Sequence, residues 1–393
     1  MTGTRAEGGF LRIRQEHHHH RVTYVELFFD LVFVYAITQI SHGLLAHLSP
    51  LGLLQTTMLM LAVWWVWVFT SWVTNWLDPD RTAVRLALFI MMVAGLILSA
   101  SIPDAFGERG LGFAIAYVAM QIGRSAFMVW SIPATQPALR INFLRILLWL
   151  TGTGILWIAG GLVQGEMRIA LWGIALIIEY LSPALRFRVP GLGASSLRDW
   201  NVEGGHMSER CALFIIIALG ESILVTGATF AETAWTPATI AAFAIAFPGS
   251  IAMWWIYFDK SADAASSRIT HSSDPGRLAR LAYTYLHVPI VAGIIVSAVA
   301  DELVLAHPTG HTNGAMLLSI IGGPLLFLIG MLLFKRTMRG LYQLSHIAGI
   351  IALLMLAPLG FYLPTLAFYG GATLILIAVA AWETCSLTPA RKT

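Results

Sequence analysis

The chain contains few charged residues and almost no cysteine for its length. Only 11% of its 393 residues are Asp, Glu, Lys or Arg, and its two cysteines are Cys211 and Cys385. A soluble protein of this size needs a larger charged surface, and a disulfide framework or a zinc module needs more thiols at closer spacing. These shortages exclude a soluble enzyme, a disulfide scaffold and a cysteine-based metal site.

Long apolar segments fill most of the chain instead. Apolar residues make up 57% of the sequence, and the mean hydropathy is +0.74. A membrane-spanning helix needs about 20 mostly apolar residues, and the alternation typical of a membrane β-barrel is missing. We predict an all-α integral membrane protein with about twelve transmembrane helices. The predicted spans are 24–47, 51–76, 83–102, 110–132, 139–163, 168–184, 207–229, 237–258, 278–300, 314–334, 341–362 and 365–383.

The two halves of the chain repeat a short pattern. Asp78-Pro79-Asp80-Arg81 precedes the apolar stretch 93–100, and Asp274-Pro275-Gly276-Arg277 precedes the similar stretch 291–298. This pattern predicts two parallel six-helix repeats, and transporters commonly place their pathway between such repeats. The predicted segments are an N-terminal arm at 1–22, a first repeat at 23–184, a linker at 185–205, a second repeat at 206–384 and a tail at 385–393.

The positions of the basic residues predict the orientation of the chain. If the N-terminus is cytoplasmic, all 24 Lys and Arg residues except Arg109, Arg124 and Arg168 fall on the cytoplasmic side, as the positive-inside rule requires. We therefore expect a multi-pass protein of the bacterial inner membrane with both termini in the cytoplasm. The basic residues are dispersed between the spans, so we expect no nucleic-acid binding.

The N-terminal arm lacks the apolar region of a signal peptide. It contains four consecutive histidines, His17 to His20. We interpret this segment as a native, disordered arm and assign no metal role to it.

Two acids near the start of the first span are candidate functional residues. Glu26 and Asp30 are four residues apart and share a helix face. Ionisable groups within a span cost several kcal/mol unless they are paired or face water. We predict that both acids line an ion or substrate pathway. The alternative is a helix start at which the carboxylates complement the dipole and pair with Arg21.

The corresponding helix of the second half has Glu209, Arg210 and, deeper in the span, Glu221. If Glu26 is aligned with Glu209, Leu213 falls opposite Asp30, so the halves are chemically unlike. We predict that these three charged residues also belong to the pathway. A hydrogen-bonded packing role is the alternative for Glu221.

Two further ionisable residues are predicted to support this site. Arg124 needs a counter-charge within the fourth span, and Glu221 and Asp30 are the candidates; a structural salt bridge and an anion contact fit the sequence equally well. His287 precedes Pro289 in the ninth span and is a candidate relay or gate, although a satisfied core histidine also fits.

Three other groups receive structural interpretations. Glu179 and Glu383 lie at the ends of the sixth and twelfth spans and are expected to anchor them at the interface. The tryptophans of the second and eighth spans favour an interfacial belt, and stacking of an aromatic or cationic substrate is the alternative. The sequence has no phosphate loop, HExxH, GxSxG or Cys/His cluster, so we expect no enzyme, no metal and no cofactor.

Two stretches resemble a known family. Residues 22–42, VTYVELFFDLVFVYAITQISH, and residues 206–224, HMSERCALFIIIALGESIL, look like the bacterial low temperature requirement A (LtrA) membrane proteins. This resemblance covers nearly the whole chain. It implies a polytopic inner-membrane protein linked to growth in the cold, without a defined molecular activity.

The first span is also similar to the pore-lining first helix of the two-repeat, six-helix lysosomal and bacterial potassium channels. The similarity runs through Phe28-Phe29-Asp30-Leu31-Val32-Phe33 and the following Ala36-Ile37-Thr38. Phe29 stands where that family has serine, Tyr24 stands in place of its upstream arginine, and the second half lacks the aspartate.

These observations favour a transporter or channel for a small cation or a cation-coupled solute. A membrane-embedded enzyme acting on a lipid or isoprenoid and a structural factor for growth in the cold are the alternatives. The expected partners are the lipid bilayer and a small cation or small-molecule solute, and the sequence leaves a homodimer open.

Overall fold

A computed structural model describes residues 9–12, 21–196, 203–259 and 275–387. In this part of the chain, helices form all the regular structure, and the β-type pairing is limited to isolated bridges. Eleven of the described helices are long and apolar enough to cross a membrane. The sixth helix has 16 residues and falls just short of that length. The predicted all-α membrane fold is confirmed.

Each predicted span has a helix in the structure. In the first half these are α1 (Tyr24–Ala46), α2 (Pro50–Trp76), α3 (Thr82–Ser101), α4 (Gly110–Ser131), α5 (Pro137–Leu162) and α6 (Glu166–Leu181). In the second half they are α7 (Gly204–Glu232), α8 (Pro237–Phe258), α9, α10 (Gly314–Arg339), α11 (Leu344–Leu356, extended by a 3-10 turn over Ala357–Phe361) and α12 (Thr365–Leu387). Helix α9 has three parts: an α-turn at Pro275–Ala279, a π-helix at Arg280–Tyr285 and an α-helix at His287–Ala306.

Local sequence signals explain where several helices begin and end. Ser49 caps α2 by accepting a hydrogen bond from the Gly52 N–H at 3.1 Å, with Pro50 at the first helical position. Thr236 and Thr239 form a reciprocal capping box at the start of α8. Helix α10 ends where Gly340 takes the left-handed conformation, with φ at 80°.

The described helices form two compact units. The first unit ends at Arg210 and the second begins at Cys211, apart from short exchanges at 44–48 and 275–277. In the first unit α4 packs against α3 and α5, and α2 contacts α4 and α6. In the second unit α9 packs against α10, and α12 packs against α8 and α11. The first two turns of α7 belong to the first unit.

Helices α9 and α10 approach each other closely at a glycine. A Cβ atom placed on Gly293 would lie 2.5 Å from the backbone nitrogen of Phe327. Only a residue without a side chain therefore permits this contact, as is common where membrane helices pack backbone against backbone.

The tryptophans of α2 do not form an interfacial belt. Trp64, Trp65 and Trp67 are at most 2% exposed, because α2 is surrounded by protein along most of its length. The belt prediction is wrong for this helix. On α8, Trp254 and Trp255 are 46% and 44% exposed, so the belt stays a prediction there.

The outward-facing side chains of the helices are apolar. Ile90 is 71% exposed, Ile155 is 69% exposed and Leu224 is 66% exposed. Such surfaces are costly in water and match the hydrocarbon of a bilayer. The distribution of apolar side chains therefore agrees with the membrane assignment made from composition.

Part of the N-terminal arm is ordered, so its prediction as a disordered segment is wrong for residues 9–12. Leu11 forms a β-bridge with Leu77, and the Arg12 N–H donates to the Trp76 carbonyl at 2.7 Å. Residues 17–20, most of the loop between α8 and α9, and the chain after residue 387 lie outside the described residues.

Candidate functional site

The two acids of α1 lie at the centre of a buried ionic cluster in the first unit. Glu26 and Asp30 are both completely buried. They lie on successive turns of one helix face, as their spacing predicts. Each pairs with basic residues from other segments. We call Arg12, Glu26, Asp30, His206 and Arg210 the buried ionic cluster.

Glu26 is held by groups from three segments. Arg12 Nη2 lies 3.1 Å from Glu26 Oε2, and His206 Nε2 lies 2.9 Å from Oε1. The Thr23 N–H and hydroxyl each donate to Oε2 at 2.9 Å. Every oxygen of this carboxylate is thus hydrogen-bonded, which is what a charge buried in a membrane protein requires. The alternative partner proposed from the sequence, Arg21, is not among the contacts described for Glu26.

The tautomer of His206 follows from its neighbours. Asn75 Nδ2 approaches His206 Nδ1 at 3.4 Å. An amide N–H can only donate, so Nδ1 accepts and Nε2 carries the proton that is donated to Glu26. Asn75 also donates to the Glu203 carbonyl and accepts from its N–H, which fixes the start of α7 against α2.

Asp30 is less completely satisfied. Its Oδ1 accepts hydrogen bonds from Arg210 Nη2 and from Trp67 Nε1, both at 2.7 Å. Its Oδ2 is buried and has no hydrogen-bond partner, and the same holds for Nε and Nη1 of Arg210. Arg210 Nη2 also donates to Ser71 Oγ at 3.2 Å. A buried ion pair that leaves hydrogen-bonding capacity unused on both partners is costly.

Two hydrogen-bonded pairs of the cluster have the same register. Glu26 and His206 are 180 residues apart, and so are Asp30 and Arg210. Residues four apart on α1 therefore meet residues four apart on α7 in the same order, so the first turns of these helices run in parallel. The sequence alignment placed Glu209, rather than His206, opposite Glu26.

The remaining predicted pathway residues lie apart from this cluster. Glu209 is half-buried, and its Oε2 accepts from the Val22 N–H at 3.1 Å. Glu221 belongs to the second unit and is 6% exposed. The structure therefore brings together three of the five predicted residues, Glu26, Asp30 and Arg210. Roles for Glu209 and Glu221 in a pathway stay predictions.

Arg124 is buried without an acidic partner in the described chain. Its Nη1 donates to the Val66 carbonyl at 3.1 Å and to Thr70 Oγ1 at 3.2 Å, and its Nη2 donates to Gln121. Gln121 Nε2 in turn donates to Tyr117 at 3.1 Å, and Tyr117 donates to Glu179. The guanidinium is thus held by neutral groups, and the predicted ion pair with Asp30 or Glu221 is wrong.

Glu179 ends this chain of hydrogen bonds in the interior of the first unit. It is 2% exposed and accepts from Thr153 Oγ1 at 2.8 Å and from Trp157 Nε1 at 3.0 Å. Glu383 in the second unit is 1% exposed and pairs with Lys335. Neighbouring helices supply enough donors to bury each carboxylate. The role of both residues as anchors of their spans at the interface stays a prediction.

His287 is surrounded by aromatic rings in the second unit. Its Nδ1 lies 2.8 Å from the Ala282 carbonyl, so Nδ1 is the donor, and Nε2 accepts from the Tyr257 hydroxyl at 2.9 Å. Both ring nitrogens are satisfied, which agrees with the core-histidine interpretation. A role as relay or gate stays a prediction.

Arg12 and His206 were not chosen from the sequence. Arg12 lies in a polar segment outside every span, where nothing in the sequence indicates a buried contact. A signal for His206 does exist: His206 and Arg210 have the same four-residue spacing as Glu26 and Asp30.

Two apolar cavities are lined without any carboxylate. One, of about 250 Å³, lies between α2, α3 and α4 and includes Arg124 in its wall. The other, of about 500 Å³, lies between α8 and α12 and includes Trp255 and Cys385. Neither has an acid that could act as a catalytic proton donor or acceptor.

Comparison with known proteins places the chain in a family. The sequence model of the bacterial low temperature requirement A protein (LtrA) matches residues 21–381. The chain belongs to the LtrA family. Four members of the buried ionic cluster fall within the range matched by the LtrA model, and Arg12 precedes it.

An uncharacterized protein of Rhizobium meliloti (strain 1021) is 39% identical over 375 residues, which is 95% of this chain and 91% of that protein. No solved structure matches the chain. Membership of the LtrA family and the apolar helices together identify a multi-pass membrane protein.

Proposed function

We propose that this LtrA protein transports a small cation or a cation-coupled solute, and that the buried ionic cluster binds the cation. The observation that supports this best is the Asp30 carboxylate, which is completely buried and has one oxygen without a hydrogen-bond partner. A membrane protein retains such a costly group where it serves binding or relay.

Competition between a bound cation and Arg210 for the Asp30 carboxylate supplies a mechanism for transport. Arg210 occupies one oxygen of Asp30, and Arg210 Nη1 lies 3.8 Å from Glu26 Oε1. A proton or small cation that binds Asp30 would weaken its attraction for Arg210 and shift the guanidinium towards Glu26. Binding of the cation is then coupled to a rearrangement between α1, α2 and α7, which is the linkage that a carrier requires.

Charge balance supports the same mechanism. With His206 neutral, the two carboxylates are balanced by the guanidinium groups of Arg12 and Arg210. A positive charge that binds Asp30 is favourable only if it displaces Arg210 from that carboxylate. The cluster therefore favours alternation between two paired arrangements over a permanently open pore. We expect the N-terminus, which carries Arg12, to be cytoplasmic.

The lipid-enzyme alternative has less support. It requires an acid beside a cavity that opens laterally to lipid, and the two apolar cavities described above have no carboxylate in their walls. The family name describes growth in the cold, which a transporter or a structural factor could serve equally.

Flux measurements in proteoliposomes test the proposal. The full chain is reconstituted, and uptake is followed over a panel of cations with and without an imposed pH gradient. Asp30→Asn should abolish flux. The control Asp80→Asn makes the same chemical change at a side chain that is 78% exposed and should keep wild-type flux.

A second variant separates loss of function from loss of folding. Asp30→Asn with Arg210→Gln removes both charges of the pair, so it avoids an unpaired buried guanidinium. We expect this protein to fold and to be inactive. Wild-type flux in the double variant would show that the cluster is only structural.

A further inference from the structure

The second unit contains a small cavity, lined by both apolar and oxygen-bearing side chains, that the predicted pathway does not use. It is enclosed by α8, α9, α10 and α12 and has a volume of about 20 Å³. A single water molecule needs roughly 10–15 Å³ measured in the same way. Five of its lining side chains carry oxygen: Ser250, Ser297, Asp301, Tyr369 and Thr373.

Asp301 is the only acid in the wall of this cavity, and its charge is not compensated by a described cation. It is 5% exposed. The Tyr369 hydroxyl donates to Oδ1 at 2.5 Å, and Thr226 Oγ1 approaches Oδ2 at 3.4 Å. The salt bridges of the described residues do not include Asp301. A buried carboxylate of this kind needs a positive partner or a proton.

Ser297 lies one turn before Asp301 and has unused hydrogen-bonding capacity. It is 6% exposed, and its Oγ has no partner. Serines elsewhere in this protein bond back to the helix, as Ser99 and Ser125 do to carbonyls four residues earlier at 2.7 Å. Ser297 does not, so its hydroxyl oxygen remains available at the cavity wall.

A proline of α10 lies in the wall of this cavity. Pro324 lies within the helix and has no N–H to donate to the carbonyl of Ile320, and both residues line the cavity. The preceding Gly323 leaves room for Ser297, since a Cβ there would fall 2.4 Å from Ser297 Oγ. Pro324 thus leaves the Ile320 carbonyl without its usual helical donor, and the absence of a side chain on Gly323 makes room for the Ser297 hydroxyl.

The donor set selects a class of ion. All the candidate ligands are hard oxygens and only one is a carboxylate, so one positive charge balances the site, and a divalent or transition metal would lack ligands. Carbonyls freed at helix breaks coordinate Na⁺ in secondary transporters. We propose that this cavity binds one dehydrated Na⁺ ion, with Asp301 as its counter-charge. A role of this Na⁺ as a coupling ion rests on the proposed transport function. The binding of Na⁺ in the cavity does not depend on that function.

Binding is tested on the purified full chain in detergent, without any flux measurement. Saturable binding of ²²Na⁺ is measured directly, and thermal unfolding is followed in NaCl, KCl and choline chloride at equal ionic strength. We expect saturable binding and a higher melting temperature in Na⁺ than in K⁺ or choline. Asp301→Asn should abolish both effects, and Ser297→Ala should weaken binding at least tenfold.

Two matched controls accompany these variants. Glu302→Gln removes an acid at the next position, outside the cavity wall, and should bind Na⁺ like the wild type. Ser345→Ala removes a buried hydroxyl elsewhere in the same unit and should also leave binding unchanged. If Asp301→Asn does not fold, the Ser297→Ala and Ser345→Ala pair alone decides the outcome.

The outcomes separate this proposal from the proposed function. The proposed site would be overturned if Asp301→Asn bound ²²Na⁺ like the wild type. If the aspartate variant does not fold, wild-type binding in Ser297→Ala would overturn it. A melting temperature that responds to pH alone, without Na⁺ binding, would overturn it in favour of a protonated Asp301. Binding that depends on Asp301 in a protein without flux would support the site and contradict the transport function.

Discussion

Lys335 Nζ lies 2.6 Å from both carboxylate oxygens of Glu383, and each side chain is only 1% exposed. Lys335 also donates to the Ile256 carbonyl at 2.7 Å. One ammonium group thus links α10 to α12 and to the end of α8. Arg339 Nη1 approaches the same carboxylate at 3.6 Å, so the pair belongs to a small buried network in the second unit.

Removing Lys335 should strongly destabilise the second unit. Lys335→Met leaves Glu383 buried with Arg339 at 3.6 Å and His346 at 4.0 Å as its nearest basic groups, and breaking such a pair from one side costs about 3–5 kcal/mol. The free energy of unfolding in mixed micelles measures this cost. Arg336→Met changes the neighbouring exposed residue and should have little effect. Equal stability of the two variants would contradict a buried ion pair.

Trp67→Phe should weaken the buried ionic cluster without removing a charge. The substitution keeps an aromatic ring but deletes the N–H that donates to Asp30. Loss of a donor to a buried acceptor costs about 1–3 kcal/mol. Trp255→Phe is the control, because Trp255 is 44% exposed. Urea titration of both variants gives the comparison, and indistinguishable midpoints would count against the bond between Trp67 and Asp30.

Gly293→Ala should push α9 and α10 apart. Its Cβ would fall 2.5 Å from the Phe327 nitrogen, and backbone atoms cannot yield as a flexible side chain can. Overpacking of this kind costs about 1–3 kcal/mol. Gly322→Ala places a methyl group where nothing lies within 4 Å, so it should be neutral or slightly stabilising. Melting temperatures in detergent check the pair, and similar values for both would contradict the close approach.

Arg168→Met should loosen the start of α6 from the end of α5 and from the turn that precedes α4. The guanidinium is buried and donates to five backbone carbonyls, those of Ala105, Gly107, Gly160, Gly161 and Val163. Leaving these acceptors without a charged donor should cost about 3 kcal/mol. Arg109→Met, at an exposed position, is the matched control. Hydrogen exchange at 160–165 reports the change directly, and unchanged protection there would refute the capping role.

The helices were predictable from the sequence because each needs a long apolar segment whatever its neighbours are. The ends of the helices were less predictable where a charged residue is buried close to a helix end. The sequence predicts that the ninth span ends at residue 300, whereas α9 continues to Ala306 and includes Asp301. The sequence predicts that the tenth span ends at 334, with Lys335 on the cytoplasmic side, whereas α10 continues to Arg339. A hydropathy pattern places the end of a helix at such a charged residue. The residue can be buried within the helix only where a residue of another helix forms a hydrogen bond or an ion pair with it.

The candidate site was partly predictable for a related reason. Glu26, Asp30 and Arg210 were found because they are ionisable residues at the edge of apolar spans. The partners of Arg124 were predicted wrongly because neutral acceptors such as the Val66 carbonyl carry no signal in a hydropathy pattern. Arg12 becomes recognisable only when its segment is packed against α1 and α2, whereas His206 could have been found from its four-residue spacing to Arg210.

The β-bridge between Leu11 and Leu77 has a practical consequence for work on this protein. It positions Arg12 beside Glu26 from a segment that precedes the first helix. A shortened version that begins at the first span would lack Arg12 and leave Glu26 with His206 at 2.9 Å and Arg210 at 3.8 Å as its basic neighbours. The segment that carries Arg12 should therefore be kept intact when affinity handles or fluorescent fusions are placed at the amino end, and the stability of the tagged protein should be compared with that of untagged protein.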